Sequence, residues 1–429
     1  MTATLLPPSP PNAPTVHRLS NGLTIIAEQM PVEAVNLNLW LKVGSALETD
    51  AINGMAHFLE HMVFKGTDRL GSGEFERAIE SRGAVTNAAT SQEYTHYYIT
   101  AAPKDFARLA PLQLEVVLAP LIPDEAFERE RYVILEEIRR SNDNPRRRTY
   151  YRTMETCFHS LPYRRPVLGP SEVIENLTPG QMRDFHGAWY RPEWMTAVVV
   201  GNLPAEESIE IVARSLESLP VPPNPATDAH PLTELHPETP FSEIVRLEYE
   251  DADLQQARMV MFWKVPGLRH LEETYALDVL AVILGQGKVS RLFQSLREER
   301  GLVSQIGASN TSHGVQGMFS ISAQLPAENV AIVEREILDH IRRIQEDSVT
   351  IGELNRVRTQ VANRFIFGNE RPSDRANLYG YYHSQLGDLA PAFHYPETIR
   401  SLERDDIRTA ARQYLDTDAY GIVVVRPGK

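Results

Sequence analysis

The sequence predicts an α+β protein of two homologous domains, each an antiparallel sheet packed with helices, joined by a proline-rich linker. Three features of the chain predict this class. Seven prolines between residues 220 and 240 divide the chain near its middle, and proline stiffens the backbone toward extended conformations. Both halves mix strand-like alternation with amphipathic helical patterns. Part of the first half also matches part of the second half without a gap.

The internal match has a constant offset of 225 positions, as from Ile174 to Ile399 and from Val198 to Val423. Each copy reads as an amphipathic helix, a turn and a β-branched strand. The match runs without a gap from residue 174 to residue 200. A match of this length favours a duplicated domain over a chance likeness of two helix–strand segments.

The expected organisation has four parts. They are a flexible N-terminal extension over residues 1–14, a first domain over 15–219, the linker over 220–240 and a second domain over 241–429. The extension contains five prolines, no Lys or Arg, and no apolar core of signal-peptide length. No signal peptide is therefore evident, and the cytoplasm of a bacterium is the expected location.

Local patterns predict the elements in order. The Asn21-Gly22 pair predicts a tight hairpin, and the alternation of Val35, Leu37 and Leu39 with polar or small residues predicts a half-buried strand. Helices are expected through residues 57–64 and from about residue 73, then polar strands over 85–100, then helices over 103–142 and 178–189. The second half repeats the mixture, with strands near residues 244–249 and 259–265.

Composition limits the possible functions. The 429 residues are 42% hydrophobic and 23% charged, as in ordinary globular proteins. Lys+Arg 43 against Asp+Glu 57 leaves a net charge of −14, which argues against nucleic acid or an anionic membrane as a partner and favours basic peptides by long-range attraction. No apolar run is long enough for membrane insertion. Cys157, the single cysteine, cannot form an intrachain disulfide.

The most informative pentapeptide is His57-Phe58-Leu59-Glu60-His61. On a helix, its two histidines and its glutamate project from one face. Two imidazoles there can bind one Zn²⁺, and the carboxylate beside them can take a proton from water. Chance also produces this spacing, so by itself the motif is equally consistent with a helix that simply carries two histidines.

A catalytic zinc site needs a third protein ligand and one open position. Residues 127–138 form an amphipathic helical pattern in which Glu130 and Glu137 lie beside the apolar stripe, whereas Glu128 and Glu136 lie away from it. Carboxylates beside an apolar face are costly unless a positive group meets them. Either a metal site meets this need, or ion pairs at the surface do, with Arg131, Arg139 or Arg140.

The motif His57-x-x-Glu60-His61, followed 76 residues after His61 by Glu137 with Glu130 seven residues before it, resembles the pitrilysin (insulinase) family of zinc metallopeptidases, the inverzincins. The likeness continues through the second half and so covers nearly the whole chain. In size, the chain is similar to the short, two-domain members, which are mitochondrial processing peptidase subunits and their bacterial relatives. The further matching segments are Asn21-Gly22-Leu23, Gly44-Ser45-Ala-Leu-Glu48, Gly54-Met-Ala-His57, Phe64-Lys-Gly-Thr67, Asn87-Ala88, Ser290-Arg-Leu-Phe293 and Leu296-Arg-Glu-Glu299.

The resemblance implies a zinc endopeptidase with one Zn²⁺ per chain, in which His57, His61 and Glu137 are the ligands. It also implies that Glu130 supports a ligand histidine and that Glu60 is the general base. Two chains of this type are expected to enclose a chamber as a dimer.

Substrate recognition is expected near Asn87 and Ala88, where small and polar residues suit an exposed strand edge that an extended or unfolded peptide can join as an extra strand. The same residues are also compatible with an ordinary edge strand made polar against aggregation.

The second half is expected to lack a metal site, because the position 225 residues after His57 is Val282. In the family this half contributes an Arg and a Tyr seven residues apart that hold the substrate. Here Arg297 is retained but Ser304 stands where the Tyr is expected. The hypothesis is therefore a zinc-bearing subunit of a heterodimer whose homologous partner supplies an intact Arg/Tyr pair.

Two alternatives remain. One is a homodimer that cleaves with Arg297 alone or with another phenol, Tyr94 or Tyr97. The other is a non-catalytic assembly subunit, although such family members typically have eroded zinc motifs and this chain keeps all five residues. Zinc content separates the second alternative from the enzyme.

Overall fold

The computed structural model describes residues 13–219 and 230–428 and contains two sheets, each packed with helices. The α+β class with two sheet-and-helix domains is therefore confirmed. Residues 1–12 of the expected extension and 220–229 of the expected linker lie outside the described residues. Within the described ranges, no helix is both long and apolar enough to cross a membrane.

The first sheet has six strands in the order β1-β2-β6-β3-β5-β4. Gly22, with φ +92°, makes the turn between the first two strands at the position where the Asn-Gly pair predicts one. Strands β2 and β6 run parallel, and the other neighbours run antiparallel. The strands are β1 Thr15–Arg18, β2 Thr24–Gln29, β3 Val35–Leu41, β4 Val85–Thr90, β5 Thr95–Ala101 and β6 Met195–Gly201.

The second sheet repeats this topology without the first strand, in the order β7-β11-β8-β10-β9. Again one pair, β7 and β11, is parallel and the rest are antiparallel. The last strand of each half returns after a layer of helices and inserts between two earlier strands, β6 between β2 and β3 and β11 between β7 and β8. It runs parallel to β2 in the first sheet and to β7 in the second, which gives the single parallel pair in each otherwise antiparallel sheet. The strands are β7 Val245–Asp251, β8 Ala257–Pro266, β9 Gln305–Thr311, β10 Gln316–Leu325 and β11 Gly421–Pro427.

Helices cover both faces of the sheets. In the first half they are α1 Met55–Met62, α2 Glu74–Glu80, α3 Pro103–Leu118, α4 Asp124–Asn142, α5 Pro145–Cys157, α6 Ser171–Asn176, α7 Pro179–Trp189 and α8 Ala205–Glu217. In the second half they are α9 Leu271–Gly285, α10 Val330–Asp347, α11 Ile351–Phe367, α12 Pro372–Leu386, α13 Ala390–Ser401 and α14 Arg404–Tyr414.

Each half lends one helix to the other half's sheet. Helix α12 packs on β3 and β6, where Ala376 and Tyr379 join a buried cluster with Val198. Helix α5 packs on β8 and β11, where Met154 joins a buried cluster with Val423. The two exchanged helices occupy equivalent places on the two sheets, as expected for a duplicated domain.

The exchange corrects one expectation about β3. Its alternating pattern predicts a half-buried strand, but all seven of its residues are buried, because α12 covers the face that was expected to be exposed. Two asparagines on that face donate to partners inside the protein: Asn36 to the hydroxyl of Thr100, and Asn38 to the side chain of Asn377. The side-chain oxygen of Asn36 is buried without a hydrogen-bond partner among the described residues.

The described end of the proline-rich segment is anchored to both halves. The ring of His230 is buried and hydrogen-bonds the carbonyl of Lys42. Further on, the carboxylate of Glu238 accepts hydrogen bonds from the backbone of residues 159–161 and pairs with Lys264.

Candidate metal centre

Helix α1 begins in a tightly specified way. Gly54 has φ +99° and stands so close to Ile174 and Leu168 that a Cβ at this position would clash with both. No side chain at the N-cap position accepts a hydrogen bond. Instead the buried carboxylate of Glu48 accepts from the backbone N–H groups of Gly54 and Ala56, which satisfies two of the free donors at the start of the helix. Burial raises the pKa of Glu48 to about 7, although these donors act in the opposite direction.

Helices α1 and α4 pack together through Phe58 and Phe127, whose rings stack with centroids 4.4 Å apart. This contact sets the register between two histidines on α1 and two glutamates on α4. Glu137 Oε2 lies 3.6 Å from His57 Nε2 and 3.8 Å from His61 Nε2.

These three residues fit a metal ion. In the described part of the chain, His57, His61 and Glu137 form the one cluster of His, Cys, Asp or Glu side chains whose ligand atoms converge, all within 4.8 Å of one another. Two ligands bound about 2.1 Å from a tetrahedral ion stand about 3.4 Å apart, close to the separations observed. Two imidazole nitrogens and one carboxylate are also a donor set that zinc uses at catalytic sites.

The protonation of His57 suits a ligand. The residue is 7% exposed, and burial, followed by the charge of neighbouring His61, lowers the pKa of its imidazole to about 3. The imidazole is therefore neutral at physiological pH, which is the form that binds metals. Its other nitrogen, Nδ1, is buried and has no hydrogen-bond partner within residues 13–219 and 230–428.

Glu130 orients the second histidine. Its carboxylate lies 2.9 Å from His61 Nδ1 and 2.7 Å from Lys65 Nζ. Burial opposes ionisation of Glu130, but the hydrogen bonds from His61 and Lys65 outweigh it and lower the pKa of the carboxyl. An ionised Glu130 holds the proton on Nδ1, so the lone pair on Nε2 of His61 faces Glu137.

Glu60 lies on the same helix but makes different contacts. The hydroxyl of Thr90, at the end of β4, donates a hydrogen bond of 2.5 Å to its carboxylate. Burial raises the pKa of Glu60, and the hydrogen bond from Thr90 partly offsets this effect. The carboxylate thus lies beside the histidines while remaining outside the converging cluster.

The arginines of α4 bind other carboxylates. Arg131 pairs with Glu128, and both Arg139 and Arg140 pair with Glu136. Glu130 and Glu137 therefore make none of the ion pairs that the surface alternative requires. The carboxylates on the flank of the helix face the histidines, and those on the outer face meet the arginines.

The centre opens into a cleft of about 560 Å³, called here the metal cleft, which is lined by His57, Glu60, Glu137, the end of β4 and α5. Strand β4 is the edge of the first sheet and pairs only with β5 among the described strands. Asn87 is exposed on this edge, and Ala88 packs partly against the core. The backbone edge of β4 that faces away from β5 is open to another strand.

The predicted residues of the second half lie elsewhere. Val282 is on the apolar helix α9 and belongs to no converging cluster of three ligand side chains within the described residues. Arg297 lies in a short π-helical segment, Phe293–Glu299, with its guanidinium over the ring of Phe293. Ser304 donates a hydrogen bond of 2.6 Å to Gln256. Neither Arg297 nor Ser304 lines the metal cleft.

The two substitute phenols do not line the metal cleft either. Tyr97 is 1% exposed, and its hydroxyl lies 2.8 Å from that of Tyr190. The ring of Tyr94 packs against Trp40. The phenols that do line the cleft belong to Tyr150, Tyr151 and Tyr163.

Sequence reasoning did not assign the structural roles of four residues of this region, Glu48, Lys65, Thr90 and Tyr150, although the first two lie in the matching segments. A helix starting at a glycine with no capping side chain signals that a distant acceptor such as Glu48 is needed. Lys65, four residues after His61, could have been found as a helical neighbour. The contacts of Thr90 and Tyr150 depend on tertiary packing and carry no local signal.

Comparison with known proteins decides the family. The model named "Insulinase (Peptidase family M16)" matches residues 23–171, and the model named "Peptidase M16 inactive domain" matches residues 176–361. The chain belongs to the M16 peptidase family. The M16 model without the word inactive covers the half that holds the His-His-Glu cluster.

Relatives along the whole chain are named as zinc proteases. An uncharacterized zinc protease of Rickettsia bellii is 29% identical over 95% of this chain and 97% of its own length. The zinc protease PqqE of Helicobacter pylori is 28% identical over 95% of this chain and 92% of its own length. These names suggest zinc as the metal of this M16 chain.

Solved structures show the same fold. A protease from Helicobacter pylori superimposes with a TM-score of 0.91 at 26% identity, covering 97% of this chain and 100% of that one. A Pseudomonas fluorescens structure titled as an M16 inactive domain reaches a TM-score of 0.86 at 20% identity, over 97% and 98% of the two chains. The two-domain M16 architecture therefore extends over the described chain.

Proposed function

We propose that this M16 chain is a zinc-dependent endopeptidase, or the zinc-bearing subunit of one, that hydrolyses extended peptides. The observation that carries the proposal is the convergence of His57, His61 and Glu137, with the separate carboxylate of Glu60 beside them in the metal cleft. A purely structural ion cluster has no need of a second, uncommitted carboxylate at that place.

The proposed roles follow from the contacts. His57, His61 and Glu137 would hold one Zn²⁺. When bound, the ion supplies the positive charge that polarises a peptide carbonyl and makes water easier to deprotonate. Glu60, held by Thr90, takes the proton from the attacking water and later delivers it to the departing amine. Glu130 keeps His61 in the tautomer that presents Nε2.

The substrate would lie along β4. Its open edge passes Asn87 and Ala88 and ends at Thr90, which holds Glu60. A peptide added to this edge as an extra strand would therefore run directly toward the general base. Recognition through backbone hydrogen bonds suits unfolded peptides of varied sequence.

The assembly is proposed to be a dimer, with a homologous partner whose Arg/Tyr pair completes the substrate grip. Two observations support the need for a partner that supplies this pair. Arg297 lies off the metal cleft, and the hydroxyl of Ser304 is already engaged by Gln256. A homodimer that uses a phenol of its own cleft, such as Tyr150, is the competing arrangement.

One experiment addresses activity and assembly together. The chain is purified alone, its zinc content is measured by mass spectrometry, and its native mass and its turnover of an unstructured fluorogenic peptide are recorded. We expect one zinc per chain, and we expect Glu60→Gln to retain zinc while losing at least about 10²-fold in turnover, because general acid–base groups contribute that much.

Exposed Glu125→Gln, on α4, is the matched control and should behave as wild type. Robust turnover by the chain alone would exclude an obligate heterologous partner. A folded chain with far less than one zinc would contradict the enzyme and support the assembly role.

A further inference from the structure

A second cleft adjoins the metal cleft. It has a volume of about 590 Å³ and lies between α5 and the strands β8, β10 and β9 of the second sheet. Asn144 and Tyr150 line both clefts, so a peptide leaving the metal centre in this direction enters the second one. Because two arginines line it, we call it the arginine cleft.

The floor of the arginine cleft is polar because of strand alternation. On β10, residues at odd positions from Phe319 to Leu325 point into the core, and those at even positions point into the cleft. The register places Arg258 opposite Gln324 and Gln324 opposite Gln305. The floor therefore presents amides, hydroxyls and one guanidinium to anything bound there.

The charge of this cleft is opposite to that of the chain. Among the described residues, no Asp or Glu lines it, although the chain contains 57 acidic residues. Arg146, at the start of α5, and Arg258, on β8, both line it. By contrast, Arg148, which lies on the same helix as Arg146, forms an ion pair with Asp251.

Arg258 is a half-buried cation without a carboxylate in the described structure. Its Nε is buried with no hydrogen-bond partner. Burial, followed by the charge of Arg146, lowers its pKa. A desolvated donor next to a like charge is unfavourable unless an anion meets it.

We propose that Arg258 and Arg146 bind a carboxylate of the peptide substrate, so that the enzyme prefers peptides with an acidic group distant from the cleaved bond. This inference rests on the proposed peptidase function and specifies its substrate class. The carboxylate can come from an Asp or Glu side chain or from the peptide's C-terminus, because guanidinium groups bind both in the same way.

Binding is measured with the zinc-loaded Glu60→Gln variant, so that no peptide is cleaved. The probes are unstructured, N-terminally fluorescein-labelled peptides of one sequence, carrying Glu, Gln or Lys at scanned distal positions, each with a free or an amidated C-terminus. Fluorescence anisotropy gives each Kd. We expect the carboxylate-bearing peptide to bind about ten-fold more tightly than its neutral counterpart, as hydrogen bonds to charged groups allow.

Variants assign the effect to the arginines. Adding Arg258→Gln should abolish the preference, and Arg258→Lys should retain part of it. Arg146→Gln, at an exposed position that is not expected to disturb folding, should weaken it. Arg335→Gln, exposed on α10 away from both clefts, is the control and should leave all Kd values unchanged. A preference that follows the Glu position identifies a side chain, and one lost on amidation identifies the C-terminus.

The outcomes separate this inference from the proposed function. Equal Kd values for the Glu, Gln and Lys peptides, with free and with amidated C-termini alike, unchanged by Arg258→Gln or Arg146→Gln, would overturn the carboxylate site and leave the peptidase proposal standing. Failure of the zinc-loaded protein to bind any of the peptides would count against the peptidase proposal itself.

Discussion

At the scale of single residues, the metal centre depends on how each side chain is held. His61 is positioned by Glu130, which is in turn positioned by Lys65. Glu60 is positioned by Thr90. Helix α4 thus carries two glutamates that face the histidines and two that pair with arginines of the same helix.

Replacing Glu130 with Gln should weaken zinc binding. The amide can still accept the hydrogen bond from His61, but it loses the charge that makes the imidazole a stronger ligand. We expect the Kd for zinc, measured by competition with a chromogenic chelator, to rise about ten-fold or more. Glu136→Gln, on the outer face of the same helix, should leave it unchanged. A Kd within two-fold of wild type for Glu130→Gln would show that this carboxylate does not tune the ligand.

At the scale of elements, helix α1 depends on a hydrogen-bond acceptor that lies outside the helix, in the segment before it. Glu48 precedes the helix by several residues and meets its first N–H groups from a fully buried position. Gly54 allows the chain to turn into the helix where a side chain would clash. Together they set where the histidine-bearing face begins.

Replacing Glu48 with Ala should destabilise the fold, because buried backbone donors of α1 and the amide of Asn53 lose their acceptor. We expect the free energy of unfolding, measured by chemical denaturation of metal-free protein, to fall by about 1–3 kcal/mol. Exposed Glu125→Ala, in the first turn of α4, should change it by less than about 0.5 kcal/mol. If both variants lose equally little, water or a relaxed loop satisfies the start of α1.

At the scale of the whole molecule, the two halves hold each other through exchanged helices and a buried junction. Beyond α5 and α12, the loop between β9 and β10 inserts against the first half: Glu93 accepts from the backbone of Gly314, and Tyr163 accepts from that of Val315. The ring of His313 stacks on Tyr163 with centroids 4.2 Å apart.

This junction should make stability sensitive to acid. Burial lowers the pKa of His313 to about 4 from an ordinary value of 6.5. The unfolded chain therefore takes up a proton first, and the stabilising contribution, complete above pH 6.5, is lost as the pH falls toward 4. For this one residue the loss amounts to at most about 3 kcal/mol.

Denaturation of metal-free protein at pH 7.5, 5.5 and 4.5 measures this effect. His313→Gln should flatten the dependence of the unfolding free energy on pH, whereas His236→Gln, at an exposed position, should not alter it. An unchanged slope in His313→Gln would show that the histidine finds a proton-accepting partner when charged.

Much of the fold and of the candidate site could be predicted from local pattern. The spacing His57-x-x-Glu60-His61 and the 225-residue repeat are properties of short stretches, and helical geometry alone separates Glu130 and Glu137 from Glu136. The cover over β3 could not be predicted in this way. It comes from α12, more than three hundred residues later in the chain, and alternation in β3 carries no information about it.

The sequence by itself determined the duplicated α+β class, the histidine-bearing face of α1 and the flank of α4 that carries its two carboxylates, because helical periodicity and residue type act over a few neighbouring residues. Only the tertiary structure decided that α5 and α12 change places between the halves, that Thr90 holds Glu60, and that an acidic chain lines one cleft with unpaired arginines. Those features depend on which distant surfaces pack together. The net charge is a sum over the whole chain, so it does not show the charge of any single cleft.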